Sequence, residues 1–151
     1  MFAKLALFSV IGVILIGSVK PCKTGWSGIG NRCFRLINHV GNWTMGLDVC
    51  RALGGGADYA SIHSSAENQG AIELLSGNFA WFGLRRVVVS QGVHKKTWSD
   101  GSPVDYLGPY LRALDGEEAT HCYGIDRQGL WAAFNCASHD GSDGALCAYS
   151  P

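Results

Sequence analysis

The chain has 151 residues, 47% of them hydrophobic, with acidic and basic side chains balanced at 12 each. One ordinary domain fits that length, and the balanced charge excludes the strong positive field of a nucleic-acid binder. No charge run, low-complexity tail, repeat or interdomain linker interrupts it. The first residues read as a leader. Met1 to Lys4 carry one positive charge, Leu5 to Ile16 are apolar or small, and Gly17-Ser18 supply the small residues a signal peptidase prefers, so residues 1–18 are expected to be cleaved. A membrane anchor is the rival reading. The run from Leu5 to Val19 is shorter than the roughly 18–20 residues needed to span a bilayer, and Cys22 follows with no stalk. The expected product is a secreted, extracellular domain over residues 22–150, without a membrane span. Its six cysteines read as three disulfides with every pairing still open. A zinc site would need CxxC or HxxxH pairs, which are missing, and no cysteine is left over for an intermolecular bridge.

Arg32 to Ile37 is predicted as a strand. Trp43, Leu47 and Cys50 then recur on one helical stripe behind Asn42, a suitable N-cap, and Gly54-Gly55-Gly56 stops the helix. A short extended piece, Tyr59 to Ile62, leads to a second helix opened by the capping box Ser64 and Glu67. Ile72 and Leu75 face inward on it, and Gly77 and Asn78 end it. Phe79 to Leu84 reads as a buried strand. Val87 to Val89 and His94 to Trp98 read as a hairpin around Ser90-Gln91-Gly92, with residue 86 opposite 96 and 87 opposite 95 across a three-residue turn. Ser99 to His121 is turn-rich, and loops of that length in a small domain are usually functional. Three short strands close the chain, at Cys122–Ile125, Leu130–Asn135 and Ala145–Tyr149. Helices early and strands late make an α+β fold.

With these elements in order, the chain resembles a C-type lectin-like domain from Cys22 to Tyr149. The resemblance is carried by NWTMGLDVC on the first helix, GGGADYASIHSSAENQ into the second, WFGL from Trp81 to Leu84, WSDGSPVDY from Trp98 to Tyr106, and GLW ahead of Cys136. It implies two helices, short antiparallel sheets, a long loop and disulfides joining Cys22 to Cys33, Cys50 to Cys147 and Cys122 to Cys136. A bridge from 50 to 147 would close nearly the whole domain, which chain entropy values at about 4–5 kcal/mol. In sugar-binding members of the family, Asn and Asp follow the Trp of the GLW segment. With a Glu-Pro-Asn or Gln-Pro-Asp triplet from the long loop they hold a calcium ion. Ala132 and Ala133 stand at those two positions here. Calcium takes about 6–8 oxygen ligands and alanine side chains offer none. The triplet is missing too, since only Glu117 and Glu118 are similar to it and they lie close to Cys122. Thr120 and His121 precede that cysteine where acids are common, and Arg85 and Arg86 follow WFGL where a second calcium would need acids.

The remaining candidates are weaker. Glu117, Glu118 and Asp126 could rebuild a metal site only if more oxygens converged on them, and as surface carboxylates they need no such role. His139 to Gly144 resembles a calcium loop but lacks its distal glutamate, and reads as a turn. Asn42-Trp43-Thr44 is an N-glycosylation sequon, although the same side chain is the expected cap. No hydrolase, zinc-protease or phosphate-loop motif occurs, and the five histidines are scattered. In the long loop Leu111 and Leu114 are expected to pack underneath, with Tyr106 and Tyr110 exposed as contact residues. Arg85, Arg86, Lys95 and Lys96 gather on the hairpin, either to guard its edge or to meet an anionic partner.

The expectation is therefore a secreted recognition module, not an enzyme, taking a protein or glycan ligand without calcium, cofactor or nucleic acid. A calcium-dependent lectin with displaced ligands is the alternative. A structural, surface-adsorbing protein is a further one, and the sequence shows no long array of Thr or acidic residues to favour it.

Overall fold

The computed structural model describes residues 20–109, 121–126, 128–138 and 144–151. The expected leader over residues 1–18 lies outside these, as do Tyr110, Leu111, Leu114, Glu117, Glu118 and residues 139–143 of the HDGSDG turn. Two short strands begin the fold. β1 (Ser27–Ile29) turns at Gly30, whose φ is +60°, into β2 (Arg32–Ile37). Three residues with a Gly in the middle give no alternation to read, and β1 has no counterpart among the predicted strands.

Helix α1 (Trp43–Ala52) starts where expected: the Asn42 side chain accepts from the Met45 N–H at 3.0 Å. Trp43, Leu47 and Cys50 are buried along its inner stripe. Gly46 belongs to that face for a steric reason. A Cβ there would sit 2.0 Å from the Tyr59 hydroxyl, which donates to the Trp43 carbonyl at 2.9 Å. After β3 (Asp58–Tyr59), helix α2 (Ser65–Leu75) opens on Ser64, whose hydroxyl accepts from Glu67 N–H at 3.1 Å. The Glu67 carboxylate reaches back one residue beyond the cap, to His63 N–H at 2.7 Å. Ser76, left-handed at φ 49°, ends α2 one residue ahead of the predicted Gly77.

β4 (Ala80–Ser90) runs as one strand of 11 residues where two shorter ones were predicted. β5 (Val93–Trp98) returns along its outer half, with Arg86 opposite Lys96 and Val87 opposite Lys95. The turn is tighter than the three-residue loop expected: Ser90 pairs with Val93 across Gln91-Gly92, and the extra residue is a bulge at Val89. A bulge strengthens the local twist and spares the hairpin a longer loop. β6 (His121–Ile125), β7 (Trp131–Asn135) and β8 (Gly144–Tyr149) complete a sheet ordered β1-β2-β8-β4-β6-β7, with β3 on β8 and β5 on β4.

Two apolar layers grip this sheet. Beneath α2, Phe82, Trp98 and Trp131 meet ring to ring at 4.9–5.9 Å, with Ile62, Leu75 and Leu146 around them. On the α1 side, Trp43, Tyr59 and Trp81 pack against Cys50, Cys122 and Cys147. Three disulfides staple the layers: Cys22–Cys33, Cys50–Cys147 and Cys122–Cys136. No helix among the described residues is long and apolar enough to cross a membrane.

Candidate functional site

Ala132 and Ala133 lie on β7, opposite Gly124 and Tyr123 of β6. Both are only 2% exposed. Their positions therefore offer no oxygen and are also closed to solvent. Burial pushes the Tyr123 hydroxyl pKa up, against the nearby Arg86 charge, which lowers it. Next on the same strand face, His121 is 1% exposed, and neither of its ring nitrogens has a hydrogen-bond partner among the described residues. Across the neighbouring strands it faces Arg86 and Asn135. The sequence marked His121 only as a residue standing, with Thr120, where acids are common ahead of Cys122, and gave no sign of its burial.

The long loop is tied down at its start. Trp131 N–H donates to the Pro109 carbonyl at 2.8 Å, and the Trp131 indole donates to Asn68 at 2.8 Å. Gly108 presses on that indole so closely that a Cβ would come within 2.6 Å of it. This geometry draws Tyr106 inward, edge-on to Trp131 at 5.9 Å, so Tyr106 is half-buried where an exposed contact residue was expected. Leu107 is the exposed apolar side chain of this stretch. Asp126 is occupied locally, accepting from the Gln128 and Leu130 N–H groups at 2.9 and 2.8 Å. It serves a turn and points to no metal.

Of the four hairpin cations, Arg86 and Lys96 face each other on one side of the ribbon, and Arg85 and Lys95 lie on the other. The Arg85 guanidinium sits over the Trp43 ring at 5.8 Å. Lys95 is exposed.

A polar network that no motif announced joins three distant segments. Ser61 and Ser102 hydroxyls both donate to the Asp100 carboxylate, at 2.5 and 2.6 Å. The His63 Nε2 lies 3.0 Å from Ser61 Oγ and 3.2 Å from Ser102 Oγ, and Nδ1 lies 2.7 Å from Asp105. Arg32 closes the far side, donating to the Ser61 carbonyl at 2.7 Å and standing 3.6 Å from Glu67. By distance this is a Ser-His-Asp line, but each hydroxyl proton is already given to Asp100. Neither serine is aimed at His63 as a nucleophile would be. Burial alone would raise the Asp100 pKa; the Ser102 and Ser61 hydrogen bonds and the Arg32 charge outweigh it and hold the carboxyl below its ordinary value. The His63 hydrogen bond does the same for exposed Asp105. The network fastens the start of the long loop to the head of α2.

Two helices flanking one disulfide-stapled sheet, with the start of a long loop laid over the β7 tryptophan, form the C-type lectin-like fold. The chain belongs to the C-type lectin-like domain family. Snaclec 3 of Sistrurus catenatus edwardsii is 32% identical over 138 residues, spanning 84% of this chain and 85% of the relative. The cow CD23 C-type carbohydrate-recognition domain superposes with a TM-score of 0.71 at 21% identity, covering 87% of this chain and 97% of that one. A calcium-independent type II antifreeze protein superposes at 0.68 with 24% identity, over 86% and 95% of the two chains. No family model matches the chain.

Proposed function

We propose that residues 22–150 form a secreted, non-catalytic recognition domain that binds a protein or glycan ligand without calcium, the leader over residues 1–18 having been removed. The observation that carries this reading is the pair Ala132 and Ala133, buried where the family's metal-binding members present two oxygen ligands. Without the ion, affinity has to come from direct hydrogen bonds, apolar contact and charge. The exposed cations Arg85 and Lys95 favour ligands carrying negative charge. Membership of a family of lectin-like binding domains supports the module, and the commitment of both serine protons to Asp100 supports its being non-catalytic.

An array of glycans and extracellular proteins, probed with millimolar calcium and again with chelator, tests the proposal. Bound spots of equal intensity in both conditions are the expected result. Binding to mannose- or galactose-type glycans that vanishes with chelator would replace it with the calcium-dependent reading, in which ligands such as Glu117 and Glu118 are displaced along the loop.

A further inference from the structure

The β4–β5 hairpin carries a feature that neither edge protection nor calcium-free recognition requires. Val88, Val89 and Val93 surround its turn and are 47%, 55% and 51% exposed. These are three of the five large hydrophobic side chains exposed among the described residues. None of the three packs on either core layer. The bulge leaves Val89 outside the ladder, so two adjacent valines are spent on solvent at the tip. A ribbon that only needed to stay soluble would carry Thr or charge here, because burying each valine elsewhere is worth about 1.5 kcal/mol or more.

Behind the tip the character changes at once. From Arg85 to Thr97 the sequence has four Lys or Arg and no Asp or Glu. Lys95 and Arg85 project from one side of the ribbon, and Arg86 and Lys96 from the other. Two to three residues of strand, about 7–10 Å, separate the valines from these cations. That is about the depth between the acyl boundary and the phosphates of a bilayer, where an interfacial apolar face settles.

We propose that the hairpin tip docks on anionic lipid bilayers, seating Val88, Val89 and Val93 at the acyl boundary while the exposed Arg85 and Lys95 meet lipid phosphates and carboxylates. The exposed valines and the charge select this occupant. A second copy would bring Lys95 and Arg85 against their own kind, and like charges across an interface repel. A sulfated polysaccharide would satisfy the cations but offers no apolar phase for the valines. The inference stands apart from the calcium question, since it uses none of the β7 residues.

The test is co-sedimentation of the mature domain with vesicles of phosphatidylcholine alone, or with one part phosphatidylserine to three of phosphatidylcholine. A heparin column is run beside it. Two variants accompany the wild type: Val88→Thr/Val89→Thr/Val93→Thr, which keeps β-branched shape and hence the strand, and Arg85→Gln/Lys95→Gln. Wild type should pellet with the phosphatidylserine vesicles and not with phosphatidylcholine. Each variant should lose at least about tenfold in binding while melting within about 2 °C of wild type. No pelleting of the wild type at low salt overturns the proposal. So does equal pelleting of the threonine variant, and with heparin retention that outcome would assign the hairpin to anionic polysaccharide.

Discussion

The two halves of β4 share a backbone and obey different rules. Ala80 to Leu84 are buried on both faces, held between β6 and β8 and covered by α1 on one side and α2 on the other. Arg85 and Arg86 still pair with β6, and from Val87 onward the same strand keeps only β5 as its partner and carries exposed valines. In the inner half each side chain is dictated by packing. At the tip, Val88, Val89 and Val93 pack on neither core layer, so their composition reports on what the surface meets. On β7, Trp131 is likewise fixed by the core, and Ala132 and Ala133 beside it are small and buried.

The sharpest way to break this comparison is one substitution in each half. Phe82→Ala removes a fully buried ring that contacts Trp98 and Trp131, and should cost about 3–5 kcal/mol. Val88→Ala, six residues along the same strand, should change stability by no more than about 0.5 kcal/mol. Denaturant unfolding measures both, and similar losses would mean that the hairpin is part of the core after all.

A second contrast sets the loop start against the hairpin. Asp100→Asn removes the charge that accepts from Ser61 and Ser102, and should cost about 1–3 kcal/mol at neutral pH. The sign with pH follows from the lowered folded-state pKa of Asp100. A depressed carboxyl contributes stability above its unfolded value of 3.8, and that contribution is lost as pH falls through the lower folded value. The gap between the melting curves of wild type and variant should therefore narrow as pH falls below 3.8. A constant gap down to pH 2 would show that the Asp100 charge is not what fastens the loop. Asp105→Asn should show the same direction with a smaller effect, because Asp105 is exposed.

Much of the fold was legible because it rests on local chemistry. Asn42 and Ser64 announce the two helices, and Trp43, Leu47 and Cys50 mark the buried face of the first. Gly92 and the alternation beside it gave the pairing of Arg86 with Lys96, although not the bulge that shortens the turn. The predicted strands stopped at Leu84 and resumed at Val87, whereas β4 runs unbroken through Arg85 and Arg86. The candidate site was less legible. Tyr106 was expected at the surface because nothing in the sequence shows Gly108 lying on Trp131. The network around His63 draws on Arg32, on residues 61–67 and on residues 100–105, and convergence of that kind leaves no period or spacing to find.

The central claim is that the domain recognises its ligand without calcium, and melting temperature tests it most directly. An ion bound only to the native state, at 100 times its dissociation constant, adds about 2.7 kcal/mol, or about 5–10 °C for a domain of this size. With the leader removed and the disulfides intact, thermal melts in millimolar calcium and in chelator should coincide within about 1 °C. A calcium-dependent rise of several degrees would contradict the account and place a metal site on the loop above Ala132 and Ala133.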